Sequence, residues 1–152
     1  MATKWLSANE MRAWRNFIQS VSTLTAAMEA DLAPFGLTMG DYEVLVRLSE
    51  AENQRLRMCD LATALQLSPS GLTRRLDGLV TSGLVERVAS PTDRRVMFAA
   101  ITPAGYDKLV EAAPDHVASV RNRFLKGLSG AQVRAVDDIF ETVRSNLTAC
   151  PS

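Results

Sequence analysis

The sequence predicts a mainly α-helical fold with one small β-hairpin and long helices on both sides of it. Three observations carry that reading. Apolar residues recur at three- and four-residue steps along most of the 152 positions. Helix starts are marked at Thr38, Ser68, Thr102 and Ser129, each followed by proline or by an acid or amide three residues on. The segment from Leu84 to Ile101 differs, with two short apolar runs either side of a turn that contains Pro91.

From Ala8 to Leu32, the residues Met11, Trp14, Ile18, Val21, Leu24, Met28 and Leu32 keep helical spacing, so the first helix is long, amphipathic and stops before Pro34 and Gly36. Thr38 with Asp41 resembles a capping box, and Tyr42, Leu45, Val46 and Leu48 continue a second helix over Thr38–Ala51, closed by polar Glu52 to Arg55. Asp60–Leu65 is a short third helix, after which Gln66 and Leu67 leave room only for a tight turn. Ser68 is an N-cap and Pro69 stands at the first helical position, where a missing N–H costs nothing. In this fourth helix Leu72, Leu76, Leu79 and Val80 share one face, Ser70, Arg74, Asp77 and Thr81 the opposite face, and Thr73 and Arg75 the flanks. Gly83 suits a left-handed helix end. Leu84–Val88 and Val96–Ile101 form the hairpin around Ser90 to Arg95. Thr102 and Pro103 start a fifth helix marked by Tyr106, Leu109, Val110, Val117, Val120, Phe124 and Leu128, which Pro114 is expected to kink or interrupt. Ser129 with Gln132 caps a terminal helix striped by Val133, Val136, Ile139, Phe140, Val143 and Leu147.

A chain of 152 residues, 47% hydrophobic, suits a single domain with a sizeable core. No apolar run approaches the roughly 18 residues of a membrane span. Met1 to Trp14 has neither an apolar signal core nor a small-residue cleavage site, so a cytoplasmic location is expected. Cys59 and Cys150 are far apart and form no C-x-x-C, which argues against a disulfide framework or a zinc ribbon. His116 is the only histidine, and H-E-x-x-H, G-x-G-x-x-G and P-loop signatures are missing, so no enzyme, metal site or cofactor is expected. The formal net charge is zero, yet from Arg55 to Arg95 seven basic residues face four acidic ones, a surplus of three that the flanks cancel.

Two short helices joined by a tight turn and followed by a hairpin are the parts of a winged helix-turn-helix, whose second helix is shaped for a DNA major groove. Ser70, Thr73 and Arg74 have the chemistry to reach base edges, arginine through its bidentate match to guanine O6 and N7. Arg94 on the turn is the candidate for the narrower minor groove. The apolar stripes of the first and last helices exceed what one small winged domain covers, which predicts a second subunit. A two-fold dimer then expects an inverted-repeat operator in double-stranded DNA.

The run LTRRLDGLVTSGLVER, then SPTDRR, then ITPAG, resembles the MarR family of bacterial transcription regulators in order and spacing. The resemblance implies one MarR-like domain over 1–152, with its winged helix-turn-helix over 35–101 and helical dimerisation parts over 8–32 and 102–148. It implies a homodimer whose first, fifth and sixth helices interlock, and repression of nearby genes relieved by a small, often aromatic or phenolic, effector. Asp93 matches the wing signature in which the acid orients arginine, so Ser68, Ser70, Thr73, Arg74, Arg75, Asp93, Arg94 and Arg95 form the expected DNA-binding set. The effector pocket is expected where the first and second helices meet the fifth, with Trp14 and Tyr42 as wall candidates.

Alternatives stand beside these readings. Trp5, Trp14 and Phe17 also suit a core or a dimer interface. Cys59, near the start of the third helix, is either a redox-sensing thiol or a small residue filling a gap, and Arg57 stands where a Ser or Thr cap is common in the family. Cys150, close to the chain end, is a weaker thiol candidate. A winged module used only for protein contacts is the reading from another class.

Overall fold

Residues 3–93 and 95–148 are described by a computed structural model; Arg94 and Cys150 lie outside the described residues. The helices are α1 (Ala8–Leu32), α2 (Met39–Glu50), α3 (Met58–Ala64), α4 (Pro69–Thr81), α5 (Pro103–Ser119) and α6 (Gly130–Thr148), and the strands are β1 (Arg55–Arg57), β2 (Val85–Ala89) and β3 (Met97–Ile101). The chain divides into two units, Met1–Val117 and Ala118–Ser152.

In the first unit the local signals act as read. Thr38 and Asp41 close a capping box at α2, and Ser68 Oγ accepts the Gly71 N–H at 3.1 Å ahead of Pro69. At the other end of α4, Gly83 adopts φ +73° while Leu84 N donates to Leu79 O and Gly83 N to Val80 O, a Schellman closure. The turn between α3 and α4 closes in the same way through Leu67 N to Ala62 O, here with Gln66 at φ +53°. Helix α3 begins at Met58, two residues before the expected Asp60.

The hairpin belongs to a three-stranded antiparallel sheet in the order β1-β3-β2, not to a two-stranded one. The extra strand pairs Arg55 with Ala100, Leu56 with Ala99 and Arg57 with Phe98. With three residues and one apolar side chain, β1 is too short to show an alternation; it exists because β3 offers it an edge. Leu56, Val85, Ala99 and Ile101 turn towards a core that also holds Leu32, Leu45, Leu48, Leu61, Leu72, Leu76 and Leu109. Helix α5 docks by its first turn. Thr102 Oγ1 donates to Gly83 O at 2.6 Å and accepts from Gly105 N at 3.0 Å. A Cβ on Gly105 would collide with the Leu84 carbonyl, so this approach requires glycine.

Pro114 does not end α5, which continues to Ser119. The proline lacks only its own N–H, so the loss is confined to one bond of the ladder. The helical register changes later, at Val120–Leu125, which is π-helical. In the second unit Gly127 reverses the chain at φ +85°, Ser129 and Gln132 exchange the capping bonds at 2.8 and 3.3 Å, and α6 follows with Ile139, Phe140, Val143 and Leu147 exposed.

Candidate nucleic-acid interface

Helix α4 is held by its apolar face and presents the other. Leu72, Leu76 and Leu79 are buried, while Ser70, Thr73, Arg74 and Asp77 are exposed. Ser68 and Ser70 bring their hydroxyls within 3.2 Å of each other at the start of the helix. Thr73 Oγ1 donates back to Pro69 O at 2.9 Å, which orients its methyl outward and occupies the hydroxyl proton. Arg74 is exposed and has no hydrogen bond or ion pair to another described residue. A planar donor fork is thereby left available to an acceptor that the protein does not supply.

The neighbouring arginines are engaged. Arg87, on β2, donates to the Thr73 carbonyl at 3.1 Å and to Asp77 Oδ1 at 2.7 Å, tying the sheet to α4. Arg75 turns away from Arg74 and reaches the first turn of α2, 3.4 Å from Thr38 Oγ1 and 3.9 Å from Asp41 Oδ1. The sequence offered no sign of either tie, since the partners lie on other elements.

At the hairpin tip, Ser90 N donates to Val96 O at 2.8 Å and Ser90 Oγ accepts from Thr92 N and Asp93 N. The Asp93 carboxylate accepts from Arg95 N at 3.0 Å, Nε at 3.1 Å and Nη2 at 3.2 Å. These bonds to Arg95 hold the Asp93 carboxyl below the usual carboxylate range, so it stays ionised and keeps the arginine oriented. Arg95 itself is 91% exposed. At the root of the sheet, Arg55 lies over the Phe98 ring at 5.0 Å, a cation–π contact.

The two effector-wall candidates fall in different aromatic pairs. Trp14 is exposed and packs on Phe17, one turn along α1, with ring centroids 6.0 Å apart. Tyr42 is buried and lies against His116 of α5 at 4.3 Å. His116 Nδ1 is buried without a hydrogen-bond partner. Burial pushes the imidazole below its ordinary 6.5, against an opposing pull from Asp31, and burial likewise raises the Tyr42 phenol. Both rings are therefore neutral near pH 7. Trp5 is exposed. Cys59 is an exposed free thiol whose Sγ lies 3.5 Å from Asp60 Oδ1. Among the described residues no three His, Cys, Asp or Glu side chains gather as a metal site, and no helix is long and apolar enough to cross a membrane.

Comparison with known proteins agrees with this geometry. Residues 37–97 match the model of the MarR family. The chain is 41% identical to AbsC, a MarR family transcriptional regulator from Streptomyces coelicolor, over 95% of this chain and 98% of that one, with a TM-score of 0.92. It is 31% identical to Sco3205, a MarR family regulator from the same organism solved in complex with DNA, over 98% and 94% of the two chains, with a TM-score of 0.93. CouR from Rhodococcus jostii RHA1, solved with p-coumaroyl-CoA bound, is 26% identical over 82% and 86%, with a TM-score of 0.73.

Proposed function

The chain belongs to the MarR family of transcription regulators, and from that premise we propose that it is a homodimeric repressor, released from an inverted-repeat operator by a small aromatic effector. The family's members are regulators and not enzymes. The observation that carries the reading is Arg74, exposed and unengaged on a helix whose opposite face is locked into the core. In a major groove its fork meets guanine O6 and N7, with Ser68, Ser70 and Thr73 beside it for base edges and phosphates. The wing contributes Arg95, oriented by Asp93, and Arg94, the proposed minor-groove residue. Sco3205 in complex with DNA supports this mode of use.

Exposed apolar side chains support the dimer. Trp14, Ile18 and Val21 on α1 and Ile139, Phe140 and Val143 on α6 are surfaces that a second subunit would cover. The complex of CouR with p-coumaroyl-CoA supports an aromatic effector. Its proposed place is beside Tyr42 and His116, where α2 meets α5 near the end of α1; the neutral ring pair offers stacking, and Nδ1 an unfilled hydrogen-bonding position.

Footprinting on the DNA around the protein's own gene tests the reading. Protection of two inverted half-sites with centres about 10 base pairs apart is expected. A single asymmetric half-site would contradict the two-fold dimer, and no protection at all would leave the fold serving protein contacts alone.

A further inference from the structure

We propose that Arg75 is a positioning residue, which sets the rotation of α4 by clamping it to the capped start of α2, and that it does not read DNA. The inference rests on the operator-binding reading above.

Three features of α2 converge on the Arg75 guanidinium. Thr38 Oγ1 accepts from Arg75 Nη1 at 3.4 Å, and Asp41 Oδ1 lies 3.9 Å from the same nitrogen. Asp41 Oδ2 is already committed to the capping box, accepting from Thr38 N at 3.0 Å and Thr38 Oγ1 at 2.7 Å, so Oδ1 is the oxygen left to face the arginine. The third feature is Gly40. A Cβ built there would fall on the Arg75 guanidinium, so the arginine occupies the space that any other residue's side chain would need. Glycine inside a helix costs up to about 1 kcal/mol relative to alanine, a cost that the seated guanidinium explains.

The charge balance favours the same placement. Glu29 Oε2 accepts the Met39 N–H at 3.1 Å, so the first turn of α2 gathers the carboxylates of Glu29 and Asp41, and Arg75 is the cation against Asp41. The side chains of Arg75 and Asp41 are 34% and 21% exposed, shielded enough for the tie to outweigh a freely solvated pair. A stripe of leucines resists displacement of a helix more than it resists rolling. Successive residues on a helix are about 100° apart, so a clamp at Arg75 fixes the direction in which Arg74 points. The same contacts join α1, through Glu29, to α2 and then to α4.

The discriminating variant is Gly40→Ala, which evicts the guanidinium without changing any charge. Operator affinity is measured across a salt series for wild type, Gly40→Ala, Arg75→Ala and the double variant, with circular dichroism melts alongside. The clamp predicts a several-fold loss in Gly40→Ala, a similar loss in Arg75→Ala and no further loss in the double variant. The slope of log affinity against log salt stays at its wild-type value in all three. Unchanged or tighter binding by Gly40→Ala would overturn the proposal. So would a slope shallower by about 1 in Arg75→Ala, the mark of a lost phosphate contact. Should Gly40→Ala melt before binding can be read, the Arg75→Ala slope alone decides between the two roles. Failure of wild type to bind operator would sink the functional reading instead, a result distinct from either.

Discussion

Helices α4 and α6 carry equally clear apolar stripes and meet opposite surroundings. In α4, Leu72, Leu76 and Leu79 are at most 3% exposed, covered by α2, α3 and the sheet. In α6, Ile139 is 57% and Leu147 81% exposed, although the periodicity that places them is as regular. An apolar stripe states that something must cover it, and only the folded chain shows whether that cover is its own. The winged unit closes its core within one chain, whereas the stripe of α6 is left for a partner.

The largest effect expected from this contrast is at Ile139. In a monomer an aspartate there meets water and costs little, but in a two-fold interface it leaves an uncompensated buried charge, on the order of 3–5 kcal/mol. Ile139→Asp should therefore give a monomer, or an unfolded chain, by analytical ultracentrifugation. Leu76→Ala, on the covered side, should cost about 2–5 kcal/mol by cavity formation at any protein concentration while the assembled species remains the same. An Ile139→Asp protein that keeps the wild-type mass and stability would break the comparison.

A smaller effect is expected at Arg74, on the polar face of the covered helix. Arg74→Ala should weaken operator binding by about 1–3 kcal/mol and relax discrimination at particular base pairs, without changing the melt. A panel of single-base operator variants checks it; a uniform loss across the panel would reassign Arg74 to the DNA backbone.

The smallest effect belongs to His116, at the edge of the covered unit. Its folded-state pKa lies below the ordinary 6.5, so as pH falls the unfolded chain takes up a proton first. Stability is full above 6.5, declines as pH drops below it, and levels off once the folded imidazole also protonates. His116→Phe retains a ring against Tyr42 and should remove this decline, as read by melting temperature against pH. A wild-type profile flat through that window would show that Asp31 offsets the burial fully.

What could be read without the structure was whatever neighbours in sequence decide. The capping boxes at Thr38 and Ser129, the N-cap of Ser68 and the left-handed Gly83 each depend on residues within about five positions, and each stands as expected. The two departures also have local limits. Pro114 forgoes one bond of its own while the rest of α5 carries the helix on, and β1 is too short to carry a pattern of its own.

The candidate interface was legible in residue type and in face, since helical spacing alone separates Arg74 from Leu72 and Leu76. Which arginines remain available was not legible. Arg75 and Thr38 are 37 positions apart and Arg87 and Asp77 are 10 apart, and Tyr42 meets His116 across two helices. Such pairings form only after the core has brought α2, α4, α5 and the sheet together. Periodicity and capping follow from the backbone geometry of a single helix, but the partner of a charge or a ring follows from packing between elements, to which sequence spacing carries no direct guide.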